Sequence, residues 1–165
     1  MSFELNILVL QQETAAPVPT ESPFKLQIES NEMLSNTIYW PFMSLNKGTW
    51  YIVGVEEDDL FSALPILDTE FETVTDSNLP YWVNDEDVKS NLTSLRINDS
   101  YRDDLFNLMR GLIKQSPIRS IMFMSRYQGG DKEVVCGVLS LDEFIDLQAK
   151  GKVLFNVCYI IRKVE

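Results

Sequence analysis

Ile118-Arg119-Ser120-Ile121-Met122-Phe123-Met124-Ser125-Arg126-Tyr127-Gln128-Gly129-Gly130-Asp131-Lys132-Glu133-Val134-Val135-Cys136-Gly137-Val138-Leu139-Ser140-Leu141-Asp142-Glu143-Phe144-Ile145-Asp146-Leu147-Gln148-Ala149-Lys150-Gly151 is the stretch whose pattern decides the fold class. Ile121, Phe123 and Ser125 alternate with Met122, Met124 and Arg126, the two-residue period of a strand. Gly129-Gly130-Asp131 has the positive-φ residues of a hairpin turn, and Lys132 to Leu139 reads as the return strand. Ser140, followed three residues later by Glu143, forms a capping box. Leu141, Phe144, Ile145 and Gln148 then share one helical face, and Gly151 is the expected helix stop. Val153 to Arg162 is again β-branched and aromatic. The unit therefore reads strand, hairpin, strand, helix, strand. It predicts an α+β fold with a mixed, mainly antiparallel sheet packed with several helices.

Working outward from this unit, Tyr101, Leu105, Leu108, Met109, Leu112 and Ile113 recur at helical spacing. Ser100 is the expected cap of that helix, and Pro117 marks its end. Phe3 to Leu10 reads as a strand that begins with alternation and ends fully apolar. Gln11 to Ser22 carries Pro17 and Pro19 without periodicity and reads as a loop. Phe24, Leu26 and Ile28 alternate with Lys25, Gln27 and Glu29 as a half-buried strand. Ile38 to Phe42 is interrupted by Pro41 and reads at most as an edge element. Thr49 to Val55 is a strand, after which Glu56-Glu57-Asp58-Asp59 is expected to open a short helix ended by Pro65, with its acids at the positive end of the helix dipole. Ile66 to Thr75 can hold a further short strand. Asn84-Asp85-Glu86-Asp87 reads as another acidic helix start, running to about Leu95. No repeat or linker divides the chain, so residues 1–165 are expected to form one domain.

The composition, 45% hydrophobic and 11% aromatic, is that of a chain able to bury a core. No apolar run approaches the roughly 20 residues a membrane helix needs, which predicts a chain that does not enter a membrane. Met1-Ser2-Phe3-Glu4 lacks the basic start of a signal peptide, so a cytoplasmic protein is expected. The net charge of −11 is unevenly placed. Residues 1–95 hold 16 acidic and 3 basic residues, whereas residues 96–165 hold 9 acidic and 11 basic and are nearly neutral. Between Glu56 and Asp87 stand eleven carboxylates and no Lys or Arg: Glu56, Glu57, Asp58, Asp59, Asp68, Glu70, Glu72, Asp76, Asp85, Glu86 and Asp87. Solubility accounts for part of this excess, and Arg96, Arg102, Arg110 and Lys114 could cancel some of it in space.

The absence of histidine excludes Ser-His-Asp and Cys-His catalysis and histidine metal sites. Cys136 and Cys158 lie among Val, Leu, Phe and Ile, and their spacing matches no zinc or redox motif, so they read as reduced core thiols. Asp142 and Asp146, four apart on one helix, could approach Mg²⁺, but a solvated helix face has the same pattern. No GxSxG, GxGxxG or P-loop pattern occurs. The expectation is a non-enzymatic chain with no catalytic residues, no metal site and no cofactor. Nucleic acid is not an expected ligand, because its phosphates need clustered Lys and Arg, and here the basic residues are scattered.

An acidic surface instead points to a basic protein, whose approach its field would steer. The candidate partner-binding residues are Asp68, Glu70, Glu72 and Asp76, with Asp85, Glu86 and Asp87 as a second patch and Glu56, Glu57, Asp58 and Asp59 beside them. Asp68, Glu70 and Glu72 are spaced by two and would share one face of an extended strand. Trp82 joins the set, because an aromatic ring beside acids can receive Lys or Arg; the alternative is that it anchors a loop on the core. In length, charge and architecture the chain resembles the immunity proteins that accompany bacterial polymorphic and contact-dependent toxins. That resemblance implies an inhibitor that blocks a basic toxin domain, such as a nuclease, one to one. A DNA-mimic inhibitor of phage or plasmid origin and a non-catalytic adaptor domain that binds a peptide stay open as alternatives.

Overall fold

The computed structural model describes residues 3–15, 22–28, 46–68, 94–127, 134–155 and 157–163. Seven strands form a mixed, mostly antiparallel sheet: β1 (Phe3–Leu10), β2 (Lys25–Ile28), β3 (Gly48–Glu57), β4 (Leu60–Ser62), β5 (Ser120–Tyr127), β6 (Val134–Ser140) and β7 (Val157–Arg162). Among the described residues two α-helices, α1 (Asp99–Gln115) and α2 (Leu141–Ala149), accompany them, with a 3-10 turn at Leu64–Ile66. The strand order is β2-β3-β1-β5-β7-β6, and β4 pairs with β3 off that path. All pairings are antiparallel except β6 with β7. The α+β class read from the sequence is the architecture of the molecule.

The two faces of the sheet follow from the two-residue period of its strands. On the helix side, Leu5, Ile7, Val9, Val53, Ile121, Phe123, Tyr159 and Ile161 pack with Leu105, Met109, Leu112 and Ile113 of α1 and with Phe144 of α2. The opposite face buries Leu8, Leu10, Trp50, Met122, Met124 and Cys158. There Trp50 Nε1 donates a 2.8 Å hydrogen bond to Asn6 Oδ1. The centre of the helix side is aromatic. Phe144 meets Phe123, Tyr159 and Phe106 edge-on, with ring centroids 5.1, 5.5 and 6.4 Å away, the arrangement that ring quadrupoles favour.

Helix ends sit where local chemistry puts them, with one shift. Ser140 Oγ accepts a 3.0 Å bond from Glu143 N and caps α2, as the Ser-x-x-Glu spacing predicts. Gly151 has φ of +69° just past that helix, and Lys152 N donates back to Leu147 O, closing the last turn. The cap of α1 is Asn98, whose side chain accepts from Ser100 N, two residues before the expected Ser100. Asn ranks with Ser as a cap, and Asp99 then occupies the first turn.

Three connections depart from the reading by pattern. The first lies in the C-terminal unit, whose strands and helix follow in the expected order although β5 and β6 do not pair. Instead β7 lies between them, antiparallel to β5 and parallel to β6. A parallel pair requires a crossover, and α2 supplies it between β6 and β7. The turn expected at Gly129-Gly130-Asp131 lies outside the described residues. The second is β7 itself, which begins at Val157 rather than Val153, because Leu154 forms an isolated bridge with Ser94. Ser94, in that bridge, and Leu95 are not helical, and the rest of the helix expected from Asn84 lies outside the described residues. The third is the segment after β3, where no helix forms; it continues instead as a β-hairpin.

Candidate functional site

The acidic tetrad Glu56-Glu57-Asp58-Asp59 is the tip of that hairpin. β3 runs on through Glu57, and Val55, Glu56 and Glu57 pair with Ser62, Phe61 and Leu60. Only Asp58 and Asp59 separate the strands, with φ of +50° and +65°. Two successive left-handed residues are the signature of the type I′ turn, whose twist matches that of the flanking strands. Aspartate is among the few non-glycine residues that visit this region routinely. Phe61 fixes the base of the hairpin: a Cβ on Gly54 would lie 2.7 Å from Phe61 Cζ, so the phenyl ring rests directly on the glycine backbone. Ser62 Oγ then accepts from Leu64 N at 3.0 Å and turns the chain into the 3-10 segment.

Glu56, Glu57, Asp58 and Asp59 are all exposed, and they form no ion pair among the described residues. No helix N-terminus accounts for them, so the dipole explanation expected from the sequence is replaced by a solvent-facing loop. Leu60, next in the chain, is 72% exposed, and Leu64 is also exposed. The tip therefore combines four carboxylates with outward-facing Leu60, and Leu64 is exposed in the 3-10 segment that follows β4. The charges were legible in the sequence. The leucines were not, because their exposure depends on the turn being a hairpin rather than a helix.

Asp68 belongs to a different place. Its backbone N–H donates to Arg96 O at 2.8 Å beside the isolated Leu67–Ile97 bridge. Its side chain lines a cleft together with Arg96, Arg102 and Lys150. Arg96 and Arg102 thus line the same cleft as Asp68, with Arg102 paired to Asp99, and among the described residues no basic side chain pairs with the hairpin acids. Arg110 Nη1 donates to Asn107 Oδ1 along its own helix. Glu70, Glu72, Asp76, Trp82, Asp85, Glu86 and Asp87 lie outside the described residues.

Other titratable groups offer little chemistry. Burial pushes the Cys136 thiol up to about 11, which keeps it protonated and poorly nucleophilic. Cys158 is fully buried on the opposite face of the sheet. Burial also raises Tyr159 above the usual tyrosine range; its hydroxyl accepts from Leu154 N at 2.9 Å, a bond that opposes the rise. Asp146 of α2 pairs with Lys150 Nζ at 2.8 Å on the helix surface. Among the described residues, no group of three or more His, Cys, Asp or Glu side chains is placed to hold a metal ion, and no helix is long and apolar enough to cross a membrane. Comparison of the chain with protein-family models, with curated proteins and with solved structures finds no match in any of the three.

Proposed function

We propose that this protein is a non-catalytic binding protein that docks a basic protein surface on its β3–β4 hairpin. In its most specific form, it is an immunity protein that neutralises a basic toxin domain one to one. The observation that carries the reading is the composition of the hairpin tip. Four exposed carboxylates lead into exposed Leu60 across a two-residue turn of left-handed Asp58 and Asp59. Exposed acids with no ion pair among the described residues project a field that accelerates encounter with a cationic partner. An exposed leucine beside them supplies apolar area for a complementary pocket. That leucine favours a protein partner over phosphate mimicry, in which it would have no counterpart. A short turn also loses little conformational freedom on docking, which favours affinity.

The test is the association rate with the cognate basic toxin domain that this reading requires, sought in the neighbouring gene, at low and high salt, for wild type and for Glu56→Lys/Glu57→Lys/Asp58→Lys/Asp59→Lys. The variant, folded by circular dichroism, is expected to associate at least roughly tenfold more slowly at low salt and to lose protection of cells against the toxin. Equal rates for the two proteins, with no salt dependence in either, would sink the proposal.

A further inference from the structure

Asp68, the N-terminal turn of α1 and the last turn of α2 enclose an open cleft of about 650 Å³, within the size range of small-molecule sites. Its walls are polar. Arg96, Arg102 and Lys150 bring three cations to it, against the carboxylates of Asp68 and Asp99 and that of Asp146, which pairs with Lys150 Nζ at the exposed end of α2. Asn98 and Asp99 place the positive end of a 17-residue helix at its edge. Two further atoms distinguish it from a merely charged groove. Gln148 is only 6% exposed, and its Oε1 has no hydrogen-bond partner; Arg102 Nε is buried and has none either. Of the three such side-chain atoms among the described residues, two belong to residues lining this one cleft. One is an acceptor and the other a donor.

Buried polar atoms are rarely left unpaired, because each keeps the full cost of its lost hydration. Both residues line the cleft, and small side-chain movements would bring the two atoms to it. The terminal amide torsion of glutamine is soft, and the Arg102–Asp99 pair lies at the surface, where such pairs hold side chains weakly. A group that satisfies both must accept from Arg102 Nε–H and donate to Gln148 Oε1. An oxyanion that also carries a hydroxyl does both at once, and the guanidinium of Arg102 and the exposed ammonium of Lys150, held to Asp146 only at the surface, attract its charge. We propose that this cleft is a binding site for a hydroxyl-bearing oxyanion of the phosphate class. Arg102 and Lys150 donate to its anionic oxygens, and Gln148 Oε1 accepts from its hydroxyl.

Inorganic phosphate and sulfate separate this arrangement from a general attraction of anions. Near neutral pH both forms of phosphate keep at least one O–H, whereas sulfate has none. Titration of the full chain at matched ionic strength, followed by amide and side-chain NMR shifts, is expected to give saturable phosphate binding that moves the Gln148 side-chain amide and Arg102 Nε–H. Phosphate should bind roughly tenfold tighter than sulfate, the effect of one hydrogen bond to a buried acceptor. Gln148→Leu should abolish that preference, while exposed Lys150→Met should weaken both ions alike. Should Gln148→Leu fail to fold, the wild-type preference and the Lys150→Met result decide. The proposal is overturned if phosphate gives no saturable response, if the two ions bind equally to wild type, or if folded Gln148→Leu keeps the preference. None of these readouts involves the acidic hairpin, so they stand or fall apart from partner binding.

Discussion

Replacing Asp58 by Asn and Asp59 by Gly tests the hairpin through the sign of a stability change. Both residues sit in the left-handed region, at φ of +50° and +65°. An L-residue there carries a penalty of roughly 1–2 kcal/mol, part of which aspartate escapes. Glycine carries none but loses about 0.5–1 kcal/mol more chain entropy on folding. Asn-Gly is also the strongly preferred pair for a type I′ turn. The double variant should therefore be more stable by about 0.5–1 kcal/mol, or roughly 1–4 °C in Tm for a domain of this size. A helix opening at Glu56 would give the opposite sign. Glycine in its first turns would cost about 1 kcal/mol, and removing two acids would forfeit their interaction with the helix dipole. The two arrangements thus differ by roughly 2 kcal/mol, well beyond the error of a urea titration followed by tryptophan fluorescence. Destabilisation by about 1 kcal/mol with an unchanged urea dependence would refute the hairpin argument, and with it the account of why the four carboxylates face solvent.

Three further outcomes follow from the packing and the titrating groups. Phe144→Ala removes three edge-on ring contacts at once and should cost about 3–5 kcal/mol in chemical denaturation; a loss below about 1 kcal/mol would show that the aromatic centre is not a unit. Ser140→Ala should cost about 1 kcal/mol, because Glu143 N loses its cap, and Ser140→Thr should restore most of it. Burial lifts Cys136 from an ordinary value of 9.0 to about 11 and lifts Tyr51 and Tyr159 above 10.0. The folded chain therefore holds protons that the unfolded chain releases. This contribution to stability is complete below about pH 9 and is lost as pH rises through 11. Alkaline melts should show that fall, with a shallower slope for Cys136→Ala, and both thiols should resist Ellman's reagent at pH 8 until urea is added. Rapid labelling of the native protein would contradict the buried, protonated assignment.

Elements whose evidence is local were readable in the chain. β1, β3 and β5 announce themselves by alternation and β-branched residues, α1 by five buried positions at helical spacing, and α2 by a cap at Ser140 and a stop at Gly151. The acidic character of the segment after β3 was equally plain. What it forms was not, because β4 is three residues long, too short to show a period. Asp-Asp is also a weaker turn signal than Asn-Gly, and the contact that settles the matter, Phe61 on Gly54, exists only once the strands pair.

Strand order lay beyond the sequence for a related reason. Hydrophobic period decides which face of a strand is buried but says nothing about which neighbour it pairs with, so the insertion of β7 between β5 and β6 had no local signature. The cleft is the extreme case, since Asp68, Arg96, Arg102, Gln148 and Lys150 become neighbours only through the Leu67–Ile97 bridge and the packing of two helices on one sheet face. The sequence by itself determined the fold class, the main elements and the sign of the charge, because those arise from interactions over a few residues. Tertiary structure alone decided which carboxylates face solvent with no ion pair among the described residues, and which polar atoms there are buried without a partner, because both depend on the placement of residues distant in the chain.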